Sequence, residues 1–373
     1  MNAILPNTLI SLICAATLAL AGPNQTPLKY AKNFTIEDHG SHTVIRVSNT
    51  WRGSGDTLFT YALVPREQTQ IPKLPENAIL FRTPIERVVT FSTVYFGHFQ
   101  ALDLHHTLIG AANVEFTNDP KVLQSVESGK TKSIESGSAL NIETILLLQP
   151  ELLLTSSTGS PQFDTHPKLL RAKQPLAITA GYMENHPLAR SEWIKFVAAF
   201  FHKEEQASEI FDQIASRYET LAALTKNIKD RPTILANAPY AGKWHVPGGQ
   251  SYSAQAFKDA GGDYLWADDQ TSGGVPLDFE TVYLNASDAD YWINPGRHRS
   301  IKELLDTDTR FQKFEALQKN RVFNNTRRIN ANGGNDIWER GILHPEEVLA
   351  DLISILHPTL LPNHTPIFYE QLH

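Results

Sequence analysis

A six-residue phrase occurs twice in this chain, and its repetition restricts the architecture more than any other feature. Leu140-Asn141-Ile142-Glu143-Thr144-Ile145 returns as Leu277-Asp278-Phe279-Glu280-Thr281-Val282. In each copy an Asn or Asp stands two places before a glutamate, and an apolar run follows. That is how a helix begins: the Asx side chain accepts backbone N–H groups, and a first-turn carboxylate suits the positive end of the helix dipole. Each copy leads through a short connection into an apolar, β-rich run, Leu152–Thr155 in one case and Tyr291–Ile293 in the other. The same helix-then-strand unit is therefore expected once in each half, with Glu143 and Glu280 marking one corner of both. Two copies this far apart are too few for a solenoid, whose periods run to roughly 20–50 residues. They fit two similar lobes. Either glutamate alone is an ordinary first-turn residue; their matched placement points to a shared external partner.

The flanking sequence supports this division. At 373 residues the chain is long enough for two domains of ordinary size. Residues 22–84 read as an N-terminal β extension and connection, with Phe34–Ile36, Thr43–Val47 and Leu58–Leu63 alternating around turn residues. From Arg87 strands and helices alternate, which predicts a parallel-type sheet under helices over residues 85–202. Residues 203–227 carry Ile210, Phe211, Ile214, Tyr218, Leu221 and Leu224 at three- and four-residue spacings, so one long helix is expected there. At ~1.5 Å per residue it makes a rod of roughly 35 Å. Residues 228–373 resume the alternation. The expected fold class is α/β: two Rossmann-like lobes joined by one long rigid helix, with an N-terminal β extension.

Met1–Ala21 contains no charged side chain and ends in Ala19-Leu20-Ala21 before Gly22, an A-x-A cleavage pattern. Residues 1–21 are thus expected to be an export signal removed after Ala21. The only cysteine, Cys14, lies inside this segment. Lipidation there is not expected, because Ile13 stands where a lipoprotein signal wants a small residue and the apolar run continues to Ala21. The mature chain would then have no thiol and no disulfide, which suggests a bacterial periplasm. No later apolar run approaches the ~20 residues of a membrane span. A net charge of −7 argues against general nucleic-acid binding.

Arg87-Val88-Val89-Thr90-Phe91-Ser92, Leu140–Thr155, the long helix, Asp259-Ala260-Gly261-Gly262, the second glutamate phrase and Trp338-Glu339-Arg340 follow one another in a recognisable order. From about Ile85 to Leu356 the chain resembles the cobalamin and ferric-siderophore class of periplasmic substrate-binding proteins of ABC importers. The resemblance implies a ligand held between two lobes that close little. It also implies that Glu143 and Glu280, one per lobe, dock onto arginines of the membrane permease and so engage its ATPase subunits. It implies a monomer with no cofactor of its own, carrying a small metal chelate that contains iron or cobalt. Residues 23–84 exceed the family's core.

A cleft between α/β lobes is lined by loops at the carboxyl ends of strands. On that rule the candidate ligand contacts are Ser92, Thr93 and Tyr95, then Glu115 and Phe116, then Ser156, Ser157 and Thr158. The second lobe offers Tyr240, Trp244 and Trp338. Aromatics on loops suit a large, partly apolar ligand, although Tyr95 and Trp266 fit a lobe core equally well. An anionic ferric siderophore would want cations, which Lys243, Arg327, Arg328 and Arg340 could supply. Cobalamin would want aromatic and small polar groups; a tryptophan found ahead of the first docking glutamate in some cobalamin binders is absent, with Gly137 near that place. Haem would need an axial ligand such as His98 or His245.

Fourteen histidines include no H-E-x-x-H and no clustered ligand set, so no metal site is expected. No nucleophile–base–orienter set is found, and no catalysis is expected. The alternatives are a haem or free-metal binding protein of the same fold, or an exported enzyme with a nitrogenase-like two-lobed fold.

Overall fold

The computed structural model describes residues 23–55, 57–160 and 162–373. The expected export segment and Cys14 lie outside the described residues. The N-terminal extension forms its own five-stranded sheet, β1 (Asn24–Gln25), β2 (Phe34–Asp38), β3 (Thr43–Val47), β4 (Phe59–Pro65) and β5 (Ile79–Thr83), in sequential order. The first three pairings are antiparallel and the last is parallel. The sheet is not a detached module. Phe34 packs on Trp193 with ring centroids 4.5 Å apart, and the Tyr61 hydroxyl accepts the Ile178 N–H at 2.8 Å. Two acidic side chains hold the strand-free stretch before β2. Glu192 accepts the backbone N–H groups of Lys29, Tyr30 and Ala31, and Glu184 those of Lys32 and Asn33.

Next comes a parallel sheet of β6 (Val88–Thr90), β7 (Leu108–Ala112), β8 (Lys132–Ile134), β9 (Leu152–Ser156) and β10 (Leu176–Thr179), ordered β10-β9-β6-β7-β8. Parallel strands are covered on both faces, so they read as continuous apolar runs. Leu152, Leu153 and Leu154 of β9 are accordingly all fully buried. The connecting helix spans Glu204–Thr225, 22 residues or roughly 33 Å at ~1.5 Å each. It buries Ala207, Phe211, Ile214, Ala215 and Tyr218 along one stripe. Tyr218 donates to Asp259 at 2.8 Å, and Arg217 pairs with Glu346 at 2.8 Å, so the rod is fastened to the second lobe.

The second lobe is built from β11 (Thr233–Ala236), β12 (Pro239–Tyr240), β13 (Lys243–Pro247), β14 (Asp263–Tyr264), β15 (Gly274–Leu277), β16 (Tyr291–Ile293), β17 (Val322–Asn324) and β18 (Glu370–Gln371). Its main sheet runs β14-β11-β16-β17-β18, parallel except at β18, and β12-β13-β15 form a small antiparallel sheet beside it.

Both copies of the repeated phrase fold as the sequence implies. Asn141 caps helix Ile142–Leu148 by accepting the Glu143 N–H at 2.9 Å, and Asp278 caps helix Phe279–Ala286 by accepting the Thr281 N–H at 2.7 Å. Among the described residues no helix is long and apolar enough to cross a membrane.

Candidate ligand-binding cleft between the lobes

Ser156 and Thr179 end β9 and β10, and Asn237 follows β11. These carboxyl strand ends border one branched cleft between the lobes. Its mouth is a recess of about 460 Å³ walled by Thr158 and Tyr182 on one side and by His245, Tyr252 and Gly273 on the other, with Arg52 of the extension at its rim. Two smaller recesses, about 140 and 70 Å³, lead inward. Thr158 and Tyr182 are shared between the mouth and the first, Tyr252 and Ser253 between the mouth and the second, and Arg190 lies between the two. The mouth alone falls within the size of a small-molecule site, roughly 300–1,000 Å³.

Arg190 is the focus of the cleft. It sits in the short helix Pro187–Ser191 and is 8% exposed. Its guanidinium carbon lies 4.1 Å from the centroid of Tyr252 across the cleft, and its Nε has no hydrogen-bond partner among the described residues. Burying a cation without a carboxylate costs several kcal/mol, and one aromatic face returns only about 2. Among the described residues none of those lining the three recesses is acidic. A protein with net charge −7 therefore keeps a positive hole between its lobes.

The walls are otherwise neutral. His98 lines the inner recess, and neither ring nitrogen has a hydrogen-bond partner among the described residues. Burial pushes its pKa down to about 4, so the ring is uncharged at neutral pH. Tyr182 is pushed up to about 12 by burial and by the nearby Asp164 carboxylate. It remains a phenol, within hydrogen-bond reach of Ser157 O at 2.6 Å and Thr50 O at 3.3 Å.

Of the residues expected at the ligand, Ser92, Tyr95, Ser156 and Thr158 line the inner recess and Trp338 lines the third. The Tyr95 hydroxyl is already paired with Thr179 Oγ1 at 2.8 Å. Others land elsewhere. Trp244 is wholly buried: β13 alternates, turning Lys243 and His245 outward and Trp244 into a cluster with Trp292, Phe311 and Phe314. Its indole N–H donates to Ala236 O at 3.0 Å, so it is a core residue and not a ligand contact. Ser157 is also fully buried, its hydroxyl donating to Asp164 at 2.8 Å. Tyr240 is exposed at the tip of the β12–β13 hairpin and Thr93 precedes helix Val94–Ala101; neither lines a recess. The expected cations are displaced too. Arg328 pairs with Asp336 and Arg340 with Glu347, while Lys243 and Arg327 are exposed away from the three recesses. Arg52 and Arg190 take their place, and neither carried a local sequence signal.

Glu115 and Phe116 belong to a clasp that ties the lobes together. Asn330 donates to Thr117 O at 2.9 Å and Glu115 O at 3.1 Å, and Asn118 donates to Gly334 O at 3.1 Å. A Cβ at Gly334 would collide with Phe116 O, so the two backbones meet only because residue 334 is glycine. Glu339, almost fully buried, accepts the Asn118 N–H at 2.9 Å and the Thr117 hydroxyl at 3.2 Å, and its Oε1 has no partner among the described residues. Burial pushes its pKa up to about 7. His344, Glu346 and Glu347 form a three-residue acidic and imidazole group nearby, but Arg217 and Arg340 already neutralise its carboxylates.

Glu143 and Glu280 are both exposed. Glu280 has one weak internal partner, Arg310 at 3.3 Å, whose guanidinium also lies 3.8 Å from the centroid of Phe279. Four residues after each glutamate stands a leucine bare to solvent, Leu147 at 84% and Leu284 at 82% exposure. The matched feature is thus an acid and an apolar side chain on one helical face.

This geometry agrees with what the chain resembles. Residues 88–327 match the periplasmic binding protein family model, and the chain belongs to that family. An uncharacterized lipoprotein of Methanocaldococcus jannaschii is 26% identical over 89% of this chain and 82% of its own length. Among solved structures, a periplasmic heme binding protein from Pseudomonas aeruginosa aligns with TM-score 0.57 and 16% identity, covering 78% of this chain and 98% of that one. A periplasmic vitamin B12 binding protein of Vibrio cholerae aligns with TM-score 0.53 and 12% identity, covering 74% and 99%. At these identities the structural likenesses establish the fold: two lobes joined by a long helix.

Proposed function

We propose that this protein is the solute-binding component of an ABC importer that captures an anionic iron chelate between its lobes and delivers it to the permease. The observation that carries the ligand class is Arg190, a buried guanidinium that among the described residues has no carboxylate partner, in a cleft whose described walls hold no acid. A ligand oxygen bearing negative charge supplies what the fold leaves out, and a charge-assisted contact of this kind is worth about 1.5–3 kcal/mol. Cobalamin offers one anionic phosphodiester among neutral amides, so it ranks below a chelate with several negative oxygens. Haem is the second reading: its propionates suit the arginine, and His245 stands exposed at the mouth as an axial candidate.

Delivery is assigned to the matched faces around Glu143 and Glu280. Two fixed negative points set orientation and encounter rate against a cationic permease surface, and Leu147 and Leu284 add apolar contact beside them. The chain acts as an exported monomer without catalysis. Because relatives bear the name lipoprotein, the mass of the mature N-terminus distinguishes cleavage after Ala21 from a lipidated Cys14.

The test is an equilibrium titration, followed by tryptophan fluorescence, with a ferric tricatecholate complex, ferric citrate, haemin and cyanocobalamin. Saturable quenching by an anionic ferric complex is expected. Saturation with cyanocobalamin alone would overturn the ligand assignment, and a flat response to all four would remove the receptor assignment with it.

A further inference from the structure

The N-terminal extension is built into the cleft mouth. The segment after β3 leaves the extension sheet and touches both lobes. On the first lobe, Trp51 stacks on His166 with ring centroids 5.5 Å apart and planes at 30°, and it covers Gly159 so closely that a Cβ there would strike the indole. Thr50 O lies 3.3 Å from the Tyr182 hydroxyl. On the second lobe, the Arg52 guanidinium lies against the bare backbone of Gly273, where any Cβ would overlap it. Arg52 is also part of the rim of the 460 Å³ recess, on the same wall system as Tyr182 and His245. Among the described residues the Arg52 guanidinium makes no hydrogen bond to the second lobe and reaches the rim by packing against Gly273.

We infer that Trp51 and Arg52 form a fixed wall of the ligand site, and that Arg52 binds an anionic group of the chelate at the mouth while Arg190 binds a second one deeper in. This rests on the proposed capture of an anionic chelate. It adds that the extension, which lies ahead of the matched family segment 88–327, selects the ligand. The ligand class that follows is a metal chelate with at least two separated negative oxygens, one buried and one near solvent. The extension that carries this wall is tied down by the carboxylates of Glu192 and Glu184, which fix residues 29–33 to the first lobe, and by the shared core under β2–β4.

The experiment compares the full mature chain with Arg52→Gln, Arg190→Gln and Trp51→Phe, titrated with a ferric tricatecholate complex (anionic) and ferric tris-acetohydroxamate (neutral). Arg52→Gln is expected to lose roughly tenfold or more in affinity for the anionic probe, to flatten its salt dependence, and to leave the neutral probe unchanged. Trp51→Phe is expected to lower the amplitude of ligand-induced quenching with the fold intact by circular dichroism. If Arg52→Gln binds the anionic probe like wild type while Arg190→Gln does not, the wall has no part in recognition and the inference falls, leaving the cleft assignment standing. If wild type itself saturates with neither probe, the capture of an anionic iron chelate falls and the wall falls with it.

Discussion

The guanidinium of Arg190, from the first lobe, lies over the ring of Tyr252, from the second, 4.1 Å from its centroid. This contact spans the two lobes and leaves a cation facing the cleft. It predicts an unusual pairing of effects. Arg190→Gln should weaken binding of an anionic ferric complex about tenfold or more, since a charge-assisted contact is lost. The same change should leave the melting temperature of the ligand-free protein unchanged or higher, because a buried charge without a carboxylate costs stability. Calorimetric binding and thermal unfolding on the same variant check both halves. A variant that binds normally but melts early makes Arg190 a structural residue.

Glu339 predicts a pH dependence of the interlobe clasp. Its folded pKa is about 7, above the ordinary 4.5, because burial disfavours the carboxylate. The folded chain therefore holds the proton more tightly than the unfolded chain. The clasp is strongest below about pH 4.5 and loses up to about 3 kcal/mol as pH rises through 7. Glu339→Gln should be less pH-dependent over that window. Urea unfolding at several pH values measures it, and an equal slope in variant and wild type would contradict the assignment.

Glu192 predicts how the extension is held. Its carboxylate serves three backbone N–H groups, and Lys195 at 2.9 Å, in a fully buried place. Glu192→Ala leaves those donors unpaired and the lysine with only the Pro27 carbonyl, so a loss of about 3–5 kcal/mol is expected. Hydrogen exchange at Lys29–Ala31 should accelerate before that of the parallel sheets. Uniform acceleration across the chain would mean the extension is not held locally.

Docking makes a separate prediction. Charge reversal at Glu143 and Glu280 together should abolish delivery and spare ligand affinity. Leu147→Asp with Leu284→Asp should do the same, because both leucines are bare at the same place relative to the glutamates. Arg310→Ala frees Glu280 from its internal partner and should strengthen docking modestly. Uptake assays in cells lacking the chromosomal copy read all three; normal uptake by the double reversal removes the glutamates from the interface.

The parts of this molecule governed by local periodicity were readable from residues alone. The connecting helix, the parallel-sheet alternation and the two capped helices each follow from spacing and from an Asx side chain reaching its own backbone. The site was only partly readable. Trp244 reads as a loop aromatic beside Gly242, Lys243 and Pro247, yet Lys243-Trp244-His245-Val246 alternates out and in, and that period of two marks a strand with a buried tryptophan. Arg190 and Arg52 gave no such signal. Each owes its place to a partner far along the chain, Tyr252 for one and Gly273 for the other, and no window of sequence contains both members of either pair.

The most direct test is a crystal structure of the mature protein with a ferric tricatecholate complex bound. An anionic ligand oxygen is expected within about 3 Å of an Arg190 guanidinium nitrogen, between the lobes. A chelate bound outside the cleft, or an Arg190 that turns to a protein carboxylate when the ligand is present, would contradict it.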